Sequence, residues 1–149
     1  MSKVEESVEV DVPVRTASNQ WTQFESFPHF MEGVERIDQL TPTVTHWVTK
    51  LGGVDREFDA RITEQIPDGR VAWTTVDGEV KQAGVVTFHH LADNKSKVML
   101  QLDYDPEGFA ENVGDKLGFV KRQITGDLKR FKEFIEERGS ETGSWRGEA

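Results

Sequence analysis

Cysteine is absent from the 149-residue chain, which excludes disulfides and thiolate chemistry outright. No apolar run approaches transmembrane length, and the opening MSKVEESVEV lacks the apolar core of a signal peptide. A cytoplasmic location without stable membrane insertion is the expectation. Basic residues are few: 18 Lys and Arg stand against 27 Asp and Glu, a formal net charge of −9. Binders of nucleic-acid phosphates need a concentrated basic face, so nucleic acid is not an expected partner. The basic clusters Lys121-Arg122 and Lys129-Arg130-Lys132 read as the solvated side of a helix. No HExxH pattern or carboxylate–histidine cluster exists, and the adjacent His89 and His90 point to opposite faces of a strand. His29 and His46 fall on other elements, so no metal or other cofactor is expected. Gly52-Gly53 reads as a hairpin rather than a phosphate cradle, and no nucleophile elbow is present.

What is present is organised around residues 107–138. Phe109, Val113, Leu117, Val120, Ile124, Leu128, Phe131, Phe134 and Ile135 recur every three or four residues, the stripe of an amphipathic helix. Gly139 is placed as its C-terminal stop. Gly114, Gly118 and Gly126 leave two readings open, a break near Gly114, which we favour, or one continuous helix. The length suits a single domain over residues 1–138 that buries about 70% of its unfolded surface. Residues 139–149, rich in Gly, Ser and Glu, read as a flexible tail.

From the N-terminus, residues 7–14 alternate Val8, Val10, Val12 and Val14 with Glu9 and Asp11, a half-buried strand. Pro13 suits a helix start, and residues 14–24 carry Val14, Ala17, Trp21 and Phe24 at helical spacing. A second helical turn is expected over 27–31, closed by Gly33. Its Phe27, Phe30 and Met31 either gate a cavity or form satellite core. Six extended runs follow, over 34–40, 44–51, 55–66, 71–76, 80–91 and 97–104, separated by turn chemistry such as Pro67-Asp68-Gly69 and Asp77-Gly78. Successive hairpins make an antiparallel meander. By parity one face is dry, with Phe58, Ala60, Ile62, Ile66, Val71, Trp73, Val86, Phe88, Val98, Leu100, Leu102 and Tyr104. The polar residues of the same parity are Arg56, Glu64, Thr75, Gln82, His90 and Tyr104.

This order resembles an α+β helix-grip fold (Bet v 1-like, START-like): a curved antiparallel sheet of about seven strands, two short helices and a long C-terminal helix. The stretches VPVRTASNQWTQFESFPHFMEGVE, DREFDARITEQIPDGRVAWTT, GVVTFHHL and LQLDYDPEG are similar to the bacterial polyketide cyclase/dehydrase group of the START-like SRPBCC proteins. The resemblance implies a sheet curled around the helix with an elongated cavity between them. A bent sheet and a straight helix cannot touch along their whole length, although a fully packed core is the competing outcome. The expected walls are Phe58, Ile62, Trp73, Val86, Phe88, Leu100, Leu102 and Tyr104, with Val113, Leu117, Val120 and Ile124 as the lid. Thr75, Gln82 and Tyr104 would orient a lipid, isoprenoid or aromatic ligand. For a cyclase or dehydratase acting in the same cavity, Arg56 would polarise a carbonyl, Tyr104 relay a proton and Glu64 act as base. The ordinary alternatives are Arg56 facing water, Glu64 leaving the sheet at Pro67, and Tyr104 anchoring the helix start by its hydroxyl. Hydrophobic-ligand binding is the leading reading, the enzyme the second, and a quinone-binding chaperone the third.

Overall fold

Seven runs of alternating residues pair into one antiparallel sheet. They are β1 (Ser2–Val10), β2 (Val34–Gln39), β3 (Val44–Leu51), β4 (Val54–Ile66), β5 (Arg70–Gly78), β6 (Gln82–Ala92) and β7 (Lys95–Tyr104). Their spatial order is β1-β7-β6-β5-β4-β3-β2, a meander from β2 to β7 whose far edge is completed by β1. The helix α1 (Val14–Trp21) and a 3-10 helix (Phe24–His29) connect β1 to β2, and a long helix, α2 (Lys116–Arg138), follows β7. This computed structural model describes residues 2–51, 54–78, 81–104 and 116–143, without the side chains of residues 2, 51, 54, 116 and 117. The architecture is the expected curled sheet gripping a C-terminal helix.

The boundaries differ from the sequence reading where side chains compete with periodicity. The first strand starts at Ser2 and stops at Val10, not at residue 14. Its pairing with β7 ends at Val10 and Ser96, and Ser96 Oγ then donates to the Val12 carbonyl at 3.0 Å. The Asp11 N–H meanwhile donates to Glu136 Oε2 at 2.6 Å, which draws the chain off the sheet toward α2. Thr22 ends α1 early by donating its hydroxyl to the Asn19 carbonyl at 2.6 Å. The following turn is a 3-10 helix holding Pro28, three residues ahead of the expected 27–31.

Parity fails at the end of β4. The β4–β5 register shifts between Ile62 and Glu64, and a bulge of this kind turns every later side chain to the other face. Ile66, expected on the dry face, is therefore 45% exposed. Glu64 also lies at the surface, with its carboxylate 2.9 Å from Arg70 Nη2. Likewise β6 runs on into its hairpin beyond Phe88, its last buried residue, so His90 is exposed.

The α2 stripe is buried as the spacing predicts, with Val120, Ile124, Leu128, Phe131 and Ile135 facing inward. Gly139 stops the helix with φ +74° and donates its N–H to the Ile135 carbonyl at 2.9 Å. The expected break near Gly114, and Phe109 and Val113 with it, lies outside the described residues. Under the C-terminal half of α2, Trp21, Phe27, Phe30 and Phe131 form a ring cluster with centroids 5.1–5.7 Å apart. Phe27 and Phe30 are thus core residues. Past Gly139 the chain turns back over α1, where Thr142 N–H donates to Gln20 Oε1 at 2.9 Å and Gln20 Nε2 donates to Thr142 Oγ1 at 3.1 Å. Residues 144–149 of the expected tail lie outside the described residues.

Candidate functional site

The ring cluster ties one half of α2 to α1 and the 3-10 helix, and a cavity of about 80 Å³ opens between the other half and the sheet. Its helix side is Val120, Gln123, Ile124 and Asp127, successive members of one face. Its sheet side is built from inward positions of adjacent strands: Trp47 and Thr49 on β3, Phe58 on β4, Trp73 on β5, Gln82 on β6, and Leu100 and Leu102 on β7. Met31 and Gly33, between the 3-10 helix and β2, and Val34, the first residue of β2, complete the lining at the mouth. Trp47 and Phe58 are directly paired across the strands and stack with centroids 5.5 Å apart. Trp47 Nε1 donates to Thr45 Oγ1 at 2.8 Å, which fixes the indole.

Trp73 owes its position to a glycine. Gly84 faces it across β5 and β6, and a Cβ on Gly84 would lie 2.5 Å from Trp73 Cζ2. Only a residue without a side chain lets the indole lie over β6.

The mouth is tied to α2 by charge. Asp127 Oδ1 accepts from the Glu32 N–H and from Gln123 Nε2, each at 3.3 Å, and from the Arg130 guanidinium. Arg130 also donates its Nε–H to the Phe30 carbonyl at 3.0 Å and pairs with Glu32 at 3.3 Å. Burial pushes the Asp127 carboxyl up to about 6, against the opposing pull of Arg130, the Glu32 N–H and Gln123. The folded protein thus holds this proton more tightly than the unfolded chain. Stability from Asp127 is full below the ordinary carboxylate range and declines as pH rises through about 6. Compared with Asp127→Asn, the wild-type chain should lose on the order of 3 kcal/mol of relative stability between pH 4 and pH 7. Urea denaturation of both proteins across that range checks it, and a pH-independent difference would refute it.

The sequence-derived candidates separate into two groups. Phe58, Trp73, Gln82, Leu100, Leu102, Val120 and Ile124 come together around the cavity. Ile62, Val86, Phe88 and Tyr104 are buried but do not line it, and Thr75 stands behind Gln82, accepting its backbone N–H at 3.1 Å. Arg56, half-buried on β4, donates to the Asp55 carbonyl at 3.2 Å and is not part of the lining. Glu64 is at the surface, as described above, and burial raises the Tyr104 phenol above its ordinary range, keeping it protonated. Val113 and the Leu117 side chain lie outside the described residues. Met31, read from the sequence as either cavity gate or satellite core, lines the cavity, and the lining residues that the sequence reading missed are Gly33, Val34, Trp47, Thr49, Gln123 and Asp127.

On the outer face of the sheet His46 is clamped between two carboxylates, with Nδ1 2.7 Å from Asp59 and Nε2 3.0 Å from Glu57. Hydrogen bonds to Asp59 and Glu57 raise its pKa above the usual imidazole value, against a smaller opposing effect of burial. A raised histidine pKa adds stability below the unfolded value and loses it as pH rises through the folded one. The stability difference between wild type and His46→Gln should therefore be present at pH 6 and fade toward pH 8, and urea titration at the two values reads it. No group of three or more His, Asp or Glu among the described residues is arranged to hold a metal ion. No described helix is long and apolar enough to cross a membrane.

Comparison with known proteins adds kinship to this geometry. The family described as polyketide cyclase / dehydrase and lipid transport matches residues 10–133. An uncharacterized 17.2 kDa protein of Streptomyces lincolnensis is 73% identical over 147 residues, covering 99% of this chain and 98% of its own. Among solved structures, the Zhui aromatase/cyclase of Streptomyces sp. R1128 aligns with a TM-score of 0.77 at 15% identity, covering 97% of this chain and 99% of that one. A START superfamily protein of Mycobacterium smegmatis aligns with a TM-score of 0.71 at 17% identity, covering 91% and 95%. With its curled sheet and gripped helix, and a match spanning residues 10–133, this chain belongs to the polyketide cyclase/dehydrase and lipid transport family.

Proposed function

We propose that the protein binds a small hydrophobic molecule between α2 and the sheet. The observation that carries this reading is the void itself, about 80 Å³ walled by Trp47, Phe58, Trp73, Leu100, Leu102, Val120 and Ile124. Native interiors normally close to the density of organic crystals, so an apolar space walled by rings is a binding site in waiting. The family's description, which includes lipid transport, supports the same reading. The size favours a single ring over a fused polycycle. An aromatic ring system presents about 150–250 Å² of apolar surface, worth about 5 kcal/mol at ~25 cal/mol per Å² before the costs of association. A larger lipid, isoprenoid or polyketide guest requires the turn at residues 31–34 to swing out, against the ties from Asp127 and Arg130.

Filling the space tests the reading. Ile124 is 5% exposed and stands over the cavity, and Ile124→Trp puts an indole where the guest would lie. Native mass spectrometry of recombinant protein should show a low-mass adduct on the wild type that is absent from the folded variant. An adduct equally abundant on both would move the guest elsewhere.

One observation favours a second reading, cyclisation or dehydration of a polyketide in the same cavity. Asp127 lines the cavity with its carboxyl raised to about 6, so it exchanges a proton close to neutral pH. Arg56, Glu64 and Tyr104 do not line the cavity, so Asp127 is the acid–base group this reading proposes. It expects Asp127→Asn to abolish turnover and retain ligand binding, whereas a pure carrier shows no turnover in either protein.

A further inference from the structure

The described wall of the cavity is shut except along one seam. Every described lining residue is buried apart from Val34, Gln123 and Asp127, which are half-buried. These three stand where α2 meets the turn before β2. Gln123 Nε2 and the Glu32 N–H both donate to Asp127 Oδ1, and Val34 follows Glu32 by two residues. The turn itself belongs to the sheet side, because the Lys50 N–H on β3 donates to the Gly33 carbonyl at 2.8 Å. Opening the seam therefore means parting the turn from α2. A guest that the closed wall would enclose needs such a movement to get in.

Arg130 fastens the two sides together. Its guanidinium donates from Nε to the Phe30 carbonyl at 3.0 Å, pairs through Nη1 with Glu32 at 3.3 Å, and bonds through Nη2 to Asp127. It thus grips the turn on both sides of Met31, yet it is not itself among the described lining residues. Its pose rests on Gly126, one turn earlier in α2. A Cβ on Gly126 would lie 3.1 Å from Arg130 Nη1, closer than ordinary contact. Glycine inside a helix is unfavourable, and here it clears the surface along which the guanidinium lies. Further along α2, His29 and Phe30 pack on the Phe134 ring at 5.7 and 5.4 Å, so any parting is confined to the cavity end. We infer that Gly126, Asp127 and Arg130 form a clasp on Phe30 and Glu32 that gates the cavity, the guest passing through the seam when the clasp is undone. Arg130 is a positioning residue in this scheme. This deepens the binding reading proposed above and rests on it.

A gate that does not touch the guest changes entry and exit by the same factor and leaves affinity alone, because it favours the shut state equally with and without guest. Fluorobenzene, an uncharged single ring, serves as the probe, and fluorine NMR across a titration of the full-length chain gives both rates and the Kd. Arg130→Lys keeps a positive charge beside Asp127 but lacks the planar fork that reaches three acceptors at once. Losing one hydrogen bond corresponds to about a tenfold change, so both rates should rise about tenfold while the Kd stays within about twofold. Gly126→Ala, which favours the helix but crowds the guanidinium, should raise both rates in the same way, and it carries the comparison if the lysine variant does not fold. Rates that change less than about threefold in both variants mean that the guest enters elsewhere, which overturns the gate while the cavity reading stands. A changed Kd with an unchanged entry rate also overturns it, since Arg130 would then shape the bound state. Should fluorobenzene not bind the wild type saturably, the binding reading falls and this inference with it.

Discussion

Phe131→Ala is expected to cost about 3–5 kcal/mol of folding stability. Phe131 is wholly buried, and its ring lies 5.2 Å from those of both Trp21 and Phe30. Truncation removes the edge-to-face and tilted contacts and leaves a ring-sized hole bounded by α1, the 3-10 helix and α2. Those neighbours are themselves locked, Trp21 by Phe27 at 5.1 Å and Phe30 by Phe134 at 5.4 Å, so little collapse can relieve the hole. Urea denaturation should show a lower midpoint at unchanged slope. A loss below about 1 kcal/mol would mean that the cluster does not hold α2 down. The proposed binding site depends on this anchor, because Val120, Gln123, Ile124 and Asp127 of the same helix line the cavity.

The second large effect is expected at Gly84. Replacing an interior strand glycine with alanine ordinarily gains about 0.5–1 kcal/mol from lost unfolded-state freedom. Here the added methyl would lie 2.5 Å from Trp73 Cζ2 and 2.8 Å from Cε2, so the indole must leave its place. Overpacking of this kind costs about 1–3 kcal/mol, which outweighs the gain. Trp73 borders the cavity that it lines, and a ring displaced there occupies the guest's position. Gly84→Ala should therefore destabilise the fold by about 2 kcal/mol and weaken guest binding at least tenfold. Combining it with Trp73→Leu should restore most of the stability, a coupling of opposite sign to simple addition. Additive losses in the double variant would show that the two residues do not meet.

The order of elements was legible because its signals are local. Val98, Leu100, Leu102 and Tyr104 alternate without interruption, and Val120 to Ile135 repeat at helical spacing, so both faces were correctly read. Ile66 and Glu64 were misassigned because a bulge is a property of a strand pair; nothing within 55–66 announces it. The opening of β1 was missed since residues 2–6 carry one apolar side chain, Val4, and the strand is held by pairing with β7. The cavity was half legible. An apolar-only reading of α2 finds Val120 and Ile124, but Gln123 and Asp127 lie on the same face at steps of three and four. That spacing was the available signal, and a carboxylate on the buried side of a stripe marks a site better than another leucine does. Trp47 and Thr49 follow from β3 parity with Thr45, whereas Met31, Gly33 and Val34 reach the mouth through an irregular turn that periodicity does not describe.

Iodobenzene diffused into crystals of this protein gives the most direct test. The account predicts an anomalous iodine peak between α2 and the sheet, bounded by Trp73, Leu100 and Ile124, which disappears in crystals of Ile124→Trp. Iodine bound only at the surface, with Val120 and Ile124 packed flush against Leu100 and Leu102, would contradict it.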